Sequence, residues 1–144
     1  MNSFEFLLTN ESHLSHRLSR VAVHYSDWTM DRIFEETKRA LQGLRANFQK
    51  ENALLSTIHN TDGIEGIIAQ AELERAEIKG DVDNLCMIHV DEPGFEQGLK
   101  TIADKFERHC EFCKTTLFPL LEAHAYPHEL QSINNQIDSM ILDG

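Results

Sequence analysis

Residues 95–120, FEQGLKTIADKFERHCEFCKTTLFPL, contain the longest apolar stripe of the chain. Its members recur in steps of three and four, the spacing that places side chains on one face of an α-helix. The stripe consists of Phe95, Leu99, Ile102, Phe106, His109, Cys113, Leu117 and Leu120. His109 and Cys113 occupy positions where the pattern otherwise has apolar side chains. The segment therefore predicts a buried helix whose core face carries metal-ligand chemistry.

A second stripe has the same property. It consists of Ile33, Thr37, Leu41, Leu44, Phe48, Glu51, Leu55 and Ile58. An ionised Glu51 inside a core requires a cation, an arginine or a proton. Two interpretations stay open: Glu51 is a metal ligand, or it forms a buried ion pair with Arg75 of the following helix. Asn47, one turn before Glu51, could donate a hydrogen bond or act as a weak ligand.

The composition is that of one globular domain spanning residues 1–144, with 41% hydrophobic and 26% charged residues. A formal net charge of −11 argues against nucleic acids and anionic membranes as partners. No apolar run reaches the roughly 20 residues of a membrane-spanning helix, and no basic segment precedes the first apolar patch. With three cysteines, an odd count, we expect a cytoplasmic protein in a reducing compartment.

The apolar periodicity predicts helices over residues 10–25, 30–58, 64–80 and 93–123, and a short last helix from Pro127. Asn10 is the expected N-cap of the first helix, and Gly80 is expected just past the third. Pro93 suits the first turn of the fourth. Four long amphipathic helices with short connections predict an all-α, antiparallel, up-and-down four-helix bundle with a short C-terminal helix.

His109 and Cys113 are four residues apart, so both can bind one metal ion from one helix. A core histidine can equally be a structural residue held by hydrogen bonds. Cys110 and Cys113 also form a Cys-x-x-Cys pair, but they lie in mid-helix, where a helix N-terminus cannot lower a thiol pKa. The alternatives for this pair are a thiol sensor or two small buried residues.

Further histidines are candidates by position. His13 and His16 lie on the first helix, close to its apolar stripe, and compete for one place in a site. His59 stands where the second helix ends, facing either the mouth of the bundle or solvent.

The segment from Phe106 to Leu121 resembles the hemerythrin-like, HHE cation-binding family. Members carry a His-x-x-x-Glu on the last long helix, followed by a Leu-Phe-Pro-like ending. Here His109 matches the histidine, Cys113 occupies the glutamate position, and residues 117–119 match the ending.

An earlier His-x-x-x-Glu of the family aligns with Asn47 and Glu51, so that Asn47 replaces the histidine. The family's third-helix histidine corresponds to His59, and its first-helix histidine to His13 or His16.

This resemblance implies a hemerythrin-like bundle with a non-haem iron site, mononuclear or dinuclear. The implied metal ligands are Glu51, His59, His109, Cys113 and either His16 or His13. A thiolate ligand shifts the preference towards zinc. The implied functions are binding or sensing of metal, of O2 or another diatomic gas, or of redox state, rather than catalysis. The alternative is a metal-free pseudo-hemerythrin that binds a protein partner or forms a homodimer, in which Arg75 neutralises Glu51.

Overall fold

Helices connected by short loops make up the whole of residues 2–143, the part of the chain that the computed structural model describes. The helices are α1 (Ser3–Val23), α2 (Met30–Thr57), α3 (Glu65–Leu85), α4 (Phe95–Phe112), α5 (Phe118–His124) and α6 (Pro127–Asp143). A π-helical segment, Cys113–Leu117, joins α4 to α5 without a break. The predicted all-α class is confirmed over this range.

Helix α1 begins at Ser3, two turns before the predicted start. Asn2 is its N-cap, and the Asn2 side chain accepts a hydrogen bond from the backbone N–H of Glu5 at 2.9 Å. The prediction that Asn10 caps this helix was wrong. Asn10 lies within α1, and its side-chain amide donates to Oδ1 of Asn47 on α2 at 3.0 Å. The extra two turns add Leu7 to the buried stripe of α1, one turn before Glu11.

Helix α2 begins at Met30 as predicted, with the Thr29 hydroxyl accepting from the backbone N–H of Arg32. Helix α3 continues through Gly80 to Leu85, so the predicted end at Gly80 was wrong. Burial of Val82 and Leu85 outweighs the low helix propensity of one exposed glycine. Helix α4 starts at Phe95 rather than Pro93, because Gly94 adopts a left-handed conformation with φ of 95°.

The apolar core consists of two clusters. The first cluster contains, among others, Leu14, Leu18, Ile33, Leu44, Ile78, Val82, Leu99 and Phe106. The second contains, among others, Phe4, Leu7, Leu54, Leu55, Ala71, Leu117, Phe118 and Ile133. Helices α1 and α3 run from the second cluster to the first, whereas α2 and the helix starting with α4 run from the first to the second. Consecutive long helices therefore cross the core in opposite directions.

Polar side chains are buried where each long helix passes from one apolar cluster to the other. We call this set the polar layer. It consists of Glu11 on α1, Asn47 and Glu51 on α2, Arg75 on α3 and His109 on α4, all 7% exposed or less. Glu11, Glu51, Arg75 and His109 each lie in sequence between core residues of the two clusters, and Asn47 lies one turn before Glu51. The polar layer therefore crosses the core between the two apolar clusters.

Helix α6 covers one end of the second cluster. Ile133 and Ile137 are buried in that cluster. Glu129, buried at the start of α6, accepts hydrogen bonds from the backbone N–H groups of Tyr126 at 2.9 Å and His59 at 3.0 Å. These bonds tie α6 to the end of α2 and lower the pKa of Glu129.

None of the helices described is both long and apolar enough to cross a membrane.

Candidate metal centre

Four potential metal ligands meet at the polar layer. Glu11, Glu51, His109 and Cys113 each offer one ligand atom, and these atoms all lie within 4.8 Å of one another. All four side chains are at most 1% exposed. The ligand atoms come from α1, α2 and the junction of α4 with the π-helical segment, so the site exists only when the helices are packed together.

The π-helical segment starts at one of these ligands. It begins at Cys113, and the Cys113 Sγ lies 3.5 Å from Nε2 of His109 one turn earlier. A π-helical turn holds an extra residue and is often found at functional sites of helices. Here it follows the His109–Cys113 pair directly and carries Cys113 and Leu117 into the core.

His109 lies between two carboxylates. Its Nδ1 is 2.7 Å from Oε1 of Glu74, and its Nε2 is 2.9 and 3.1 Å from the two carboxylate oxygens of Glu51. Burial alone would lower the pKa of His109, but the hydrogen bond and charge of Glu51, together with the hydrogen bond to Glu74, raise it to about 9. At neutral pH the imidazolium therefore donates a hydrogen bond to each carboxylate.

Glu11 has no such partner. Neither of its carboxyl oxygens forms a hydrogen bond with any residue that the structure describes. Burial and the nearby charge of Glu51 raise the pKa of Glu11 to about 8, so its carboxyl group is protonated at neutral pH. Buried polar atoms are nearly always paired, so the two oxygens of Glu11, which lie near Asn47 and Cys113, call for a further partner such as a water molecule or a cation.

Arg75 completes the charge balance. Its Nη1 lies 3.5 Å from Oε1 of Glu51, which forms an ion pair but not a hydrogen bond, and Nη1 has no hydrogen-bond acceptor among residues 2–143. The Asn47 side chain accepts from Asn10, while its Nδ2 has no acceptor within the same range. The ion pair between Arg75 and Glu51, one of the two interpretations drawn from the sequence, is present, but Glu51 also contacts His109.

The thiols of the Cys-x-x-Cys pair are not activated. Burial, followed by the negative charges of Glu11 and Glu51, raises the pKa of both Cys110 and Cys113 well above the ordinary range. Both thiols are therefore protonated at neutral pH and are poor nucleophiles. This environment disfavours a thiol sensor, while a bound cation would offset the same penalty at Cys113.

The structure brings Glu51, His109 and Cys113 together, three of the six candidates named from the sequence. His13 and His16 are exposed on α1, where they line a surface groove between α1 and α4 that extends to Glu11 and Cys110. The His59 side chain is exposed, and its backbone N–H donates to Glu129. These three histidines lie outside the cluster.

Sequence reasoning missed Glu11. Its signal was present, because Leu7, Glu11, Leu14 and Leu18 follow steps of four and three, as on the other two stripes. The helix start placed at Asn10 removed the first leucine from this pattern. Glu74, the second partner of His109, sits one residue before the arginine that was considered.

Comparisons with known proteins found no relative of the chain. No family model, curated protein or solved structure gives a significant match to the chain.

The metal-free protein should lose stability as the pH rises from about 5 to 9. His109 keeps its proton to about pH 9 when folded but only to about 6.5 when unfolded, and Glu11 keeps its proton to about 8 rather than 4.5. The folded state therefore binds more protons in this window, and each extra proton lowers the free energy of unfolding by about 1.4 kcal/mol per pH unit at most. Urea unfolding of chelator-treated protein measures the slope.

A matched pair of variants isolates the contribution of Glu11. Glu11→Gln removes its ionisation and should flatten the slope between pH 5 and 8, whereas exposed Glu107→Gln should leave it unchanged. A stability that stays level or rises up to pH 9 in the unmodified protein would contradict the protonation states assigned to the cluster.

Proposed function

We propose that the chain is a metal-binding protein whose bundle core holds one divalent transition-metal ion, and that it binds or senses this ion rather than turning over a substrate. The observation that carries the proposal is the convergence of Glu11, Glu51, His109 and Cys113 within 4.8 Å, with both oxygens of Glu11 unpartnered among the described residues. Side chains on facing helices are the usual source of metal sites in helical bundles.

The donor set fits zinc best. Two carboxylates, one imidazole and one thiolate supply four ligands of the types that zinc binds in tetrahedral sites. The thiolate also favours zinc over harder ions such as magnesium. Glu74 acts as the outer partner: its carboxylate accepts from Nδ1 of His109 and leaves Nε2 for the metal, the arrangement common to metal-binding histidines.

The charges of these groups balance without the ion and come within one unit of balance with it, because the partly exposed Glu74 keeps its negative charge. Without it, Glu11 and Cys113 are neutral through protonation, and the two cations His109 and Arg75 face the two carboxylates of Glu51 and Glu74. With a divalent ion, Glu11 and Cys113 ionise and His109 becomes neutral. Arg75 then compensates the third anionic ligand, Glu51. Metal uptake should therefore release about three protons at neutral pH, since ligands must be deprotonated.

Likeness to hemerythrin-like bundles is part of the proposal. Its support is that the four positions aligned with the family's two His-x-x-x-Glu pairs, Asn47, Glu51, His109 and Cys113, are all fully buried at one level of the bundle. The alternation of helix direction agrees with an up-and-down bundle. In this proposal Glu11 replaces the family's first-helix histidine, and His13, His16 and His59 are left out of the ligand set.

One observation favours a second candidate, a metal-free bundle that serves as a protein-interaction module. Arg75 and His109 both contact Glu51, so Glu51 is already neutralised without an ion. This candidate does not account for the orphaned oxygens of Glu11. It predicts a folded protein that takes up neither zinc nor ferrous iron after treatment with a chelator.

Replacing His109 should remove metal binding. His109→Ala deletes one of four ligands and should raise the dissociation constant for zinc by more than about 100-fold. Glu74→Gln, which changes only the outer partner, should raise it about 10- to 100-fold. Competition titration against a chromophoric chelator measures both, and elemental analysis gives the stoichiometry.

The exposed His128→Ala serves as the matched control and should bind zinc like the unmodified protein. Zinc should also raise the thermal midpoint of the unmodified protein and of Glu74→Gln, by linkage. Near-stoichiometric zinc of unchanged affinity in a folded His109→Ala protein would contradict the proposed ligand set.

Restoring the family's ligands should raise iron loading. The double variant Asn47→His and Cys113→Glu would supply a second histidine and a further carboxylate at fully buried positions, ligands that suit non-haem iron. Anaerobic reconstitution with ferrous iron, followed by elemental analysis, should give more bound iron than the unmodified chain. Asn52→His, an exposed position on the same helix, is the control. An equal iron content in all three proteins would contradict the alignment with hemerythrin-like bundles.

A further inference from the structure

An apolar cavity of about 500 Å³ lies between α2 and the segment that joins α3 to α4. We call it the α2 cavity. Its apolar lining includes the buried Leu41, Leu85 and Phe95 and the partly exposed Ile88 and Val90. The volume falls within the roughly 300–1,000 Å³ of small-molecule pockets. No member of the polar layer lines it, so it is a site separate from the candidate metal centre.

The charges around the cavity select the ligand's head group. Lys38 and Arg45 line it from the same helix, and no aspartate or glutamate is among its lining residues within 2–143. Neither cation forms an ion pair with a carboxylate of that range, and the polar contact of Arg45 is to Sγ of Cys86 at 3.7 Å. On a chain of net charge −11, two unpaired cations beside an apolar cavity favour an anion.

We propose that the α2 cavity binds a small amphiphilic carboxylate of the medium-chain fatty acid type. Its hydrocarbon chain would lie against Leu41, Leu85 and Phe95. Its carboxylate would accept a charge-assisted hydrogen bond from the Lys38 ammonium. One ligand thus removes apolar surface from water and pairs a free cation.

A native thiol reports on occupancy. Cys86 is exposed and lines the cavity, whereas Cys113 is buried and Cys110 partly buried, and both have raised pKa values and react slowly. The experiment measures the rate of Cys86 alkylation by iodoacetamide at increasing dodecanoate, kept below its micelle concentration, with mass spectrometry to locate the label. Dodecanoate should slow the alkylation in a saturable manner.

Three variants test the assigned contacts. Lys38→Gln should raise the half-protecting concentration of dodecanoate on the order of tenfold, as expected for loss of a charge-assisted hydrogen bond. Arg45→Gln removes the second cation of the cavity lining and should raise it by a smaller factor. Arg39→Gln lies next to Lys38 but outside the cavity lining, and should leave it unchanged.

Four results would overturn the proposal. If dodecanoate does not slow the alkylation of Cys86, the cavity does not bind it. If dodecanol slows the alkylation equally, the cavity does not recognise the carboxylate. Protection that depends on protein concentration alone would identify the cavity as a contact between copies of the chain. Accelerated labelling of Cys110 and Cys113 in dodecanoate would mean that the compound unfolds the protein.

Discussion

The bundle buries three carboxyl or thiol groups and one imidazole at a single level, and the fold has to keep their charges paired there. An unpaired charge cannot stay there, because the free-energy cost of removing it from water would exceed the free energy gained from the surrounding apolar contacts. Protons, Arg75 and Glu74 meet the requirement in the metal-free protein. A divalent ion meets it in the proposed metal-bound form. The net charge in the core is nearly the same in the metal-free and the metal-bound form.

This constraint explains features of the fold that otherwise look unrelated. The apolar core is divided in two because every long helix places a polar side chain between its two sets of core residues. The π-helical segment follows the point where His109 and Cys113 must face the same centre. Arg75 stays buried although its Nη1 lies beyond hydrogen-bond distance of Glu51, since its role is to offset charge.

The strongest helical patterns predicted the all-α fold class and three of the four clustered side chains. Glu51, His109 and Cys113 stood out because each interrupts a long stripe of apolar residues with regular spacing. Glu11 did not, because Asn10 is a good N-cap residue by type and the chain instead uses Asn2, which lengthens α1. His59 was chosen for its place near a helix end, yet local sequence does not determine which way such a residue points. Tertiary burial of Val82 and Leu85 likewise extended α3 past Gly80, against local propensity.

In the proposed metal centre, one ion is held by a mixed set of sulfur, nitrogen and oxygen ligands inside the bundle. X-ray absorption spectroscopy at the zinc edge, on protein loaded with one equivalent of zinc, measures this ligand set. We expect a four-coordinate ion with a single sulfur at about 2.3 Å and nitrogen and oxygen ligands at about 2.0–2.2 Å. The sulfur should disappear in Cys113→Ser. A shell of oxygen ligands alone, or a sulfur signal that survives this substitution, would contradict the proposed centre.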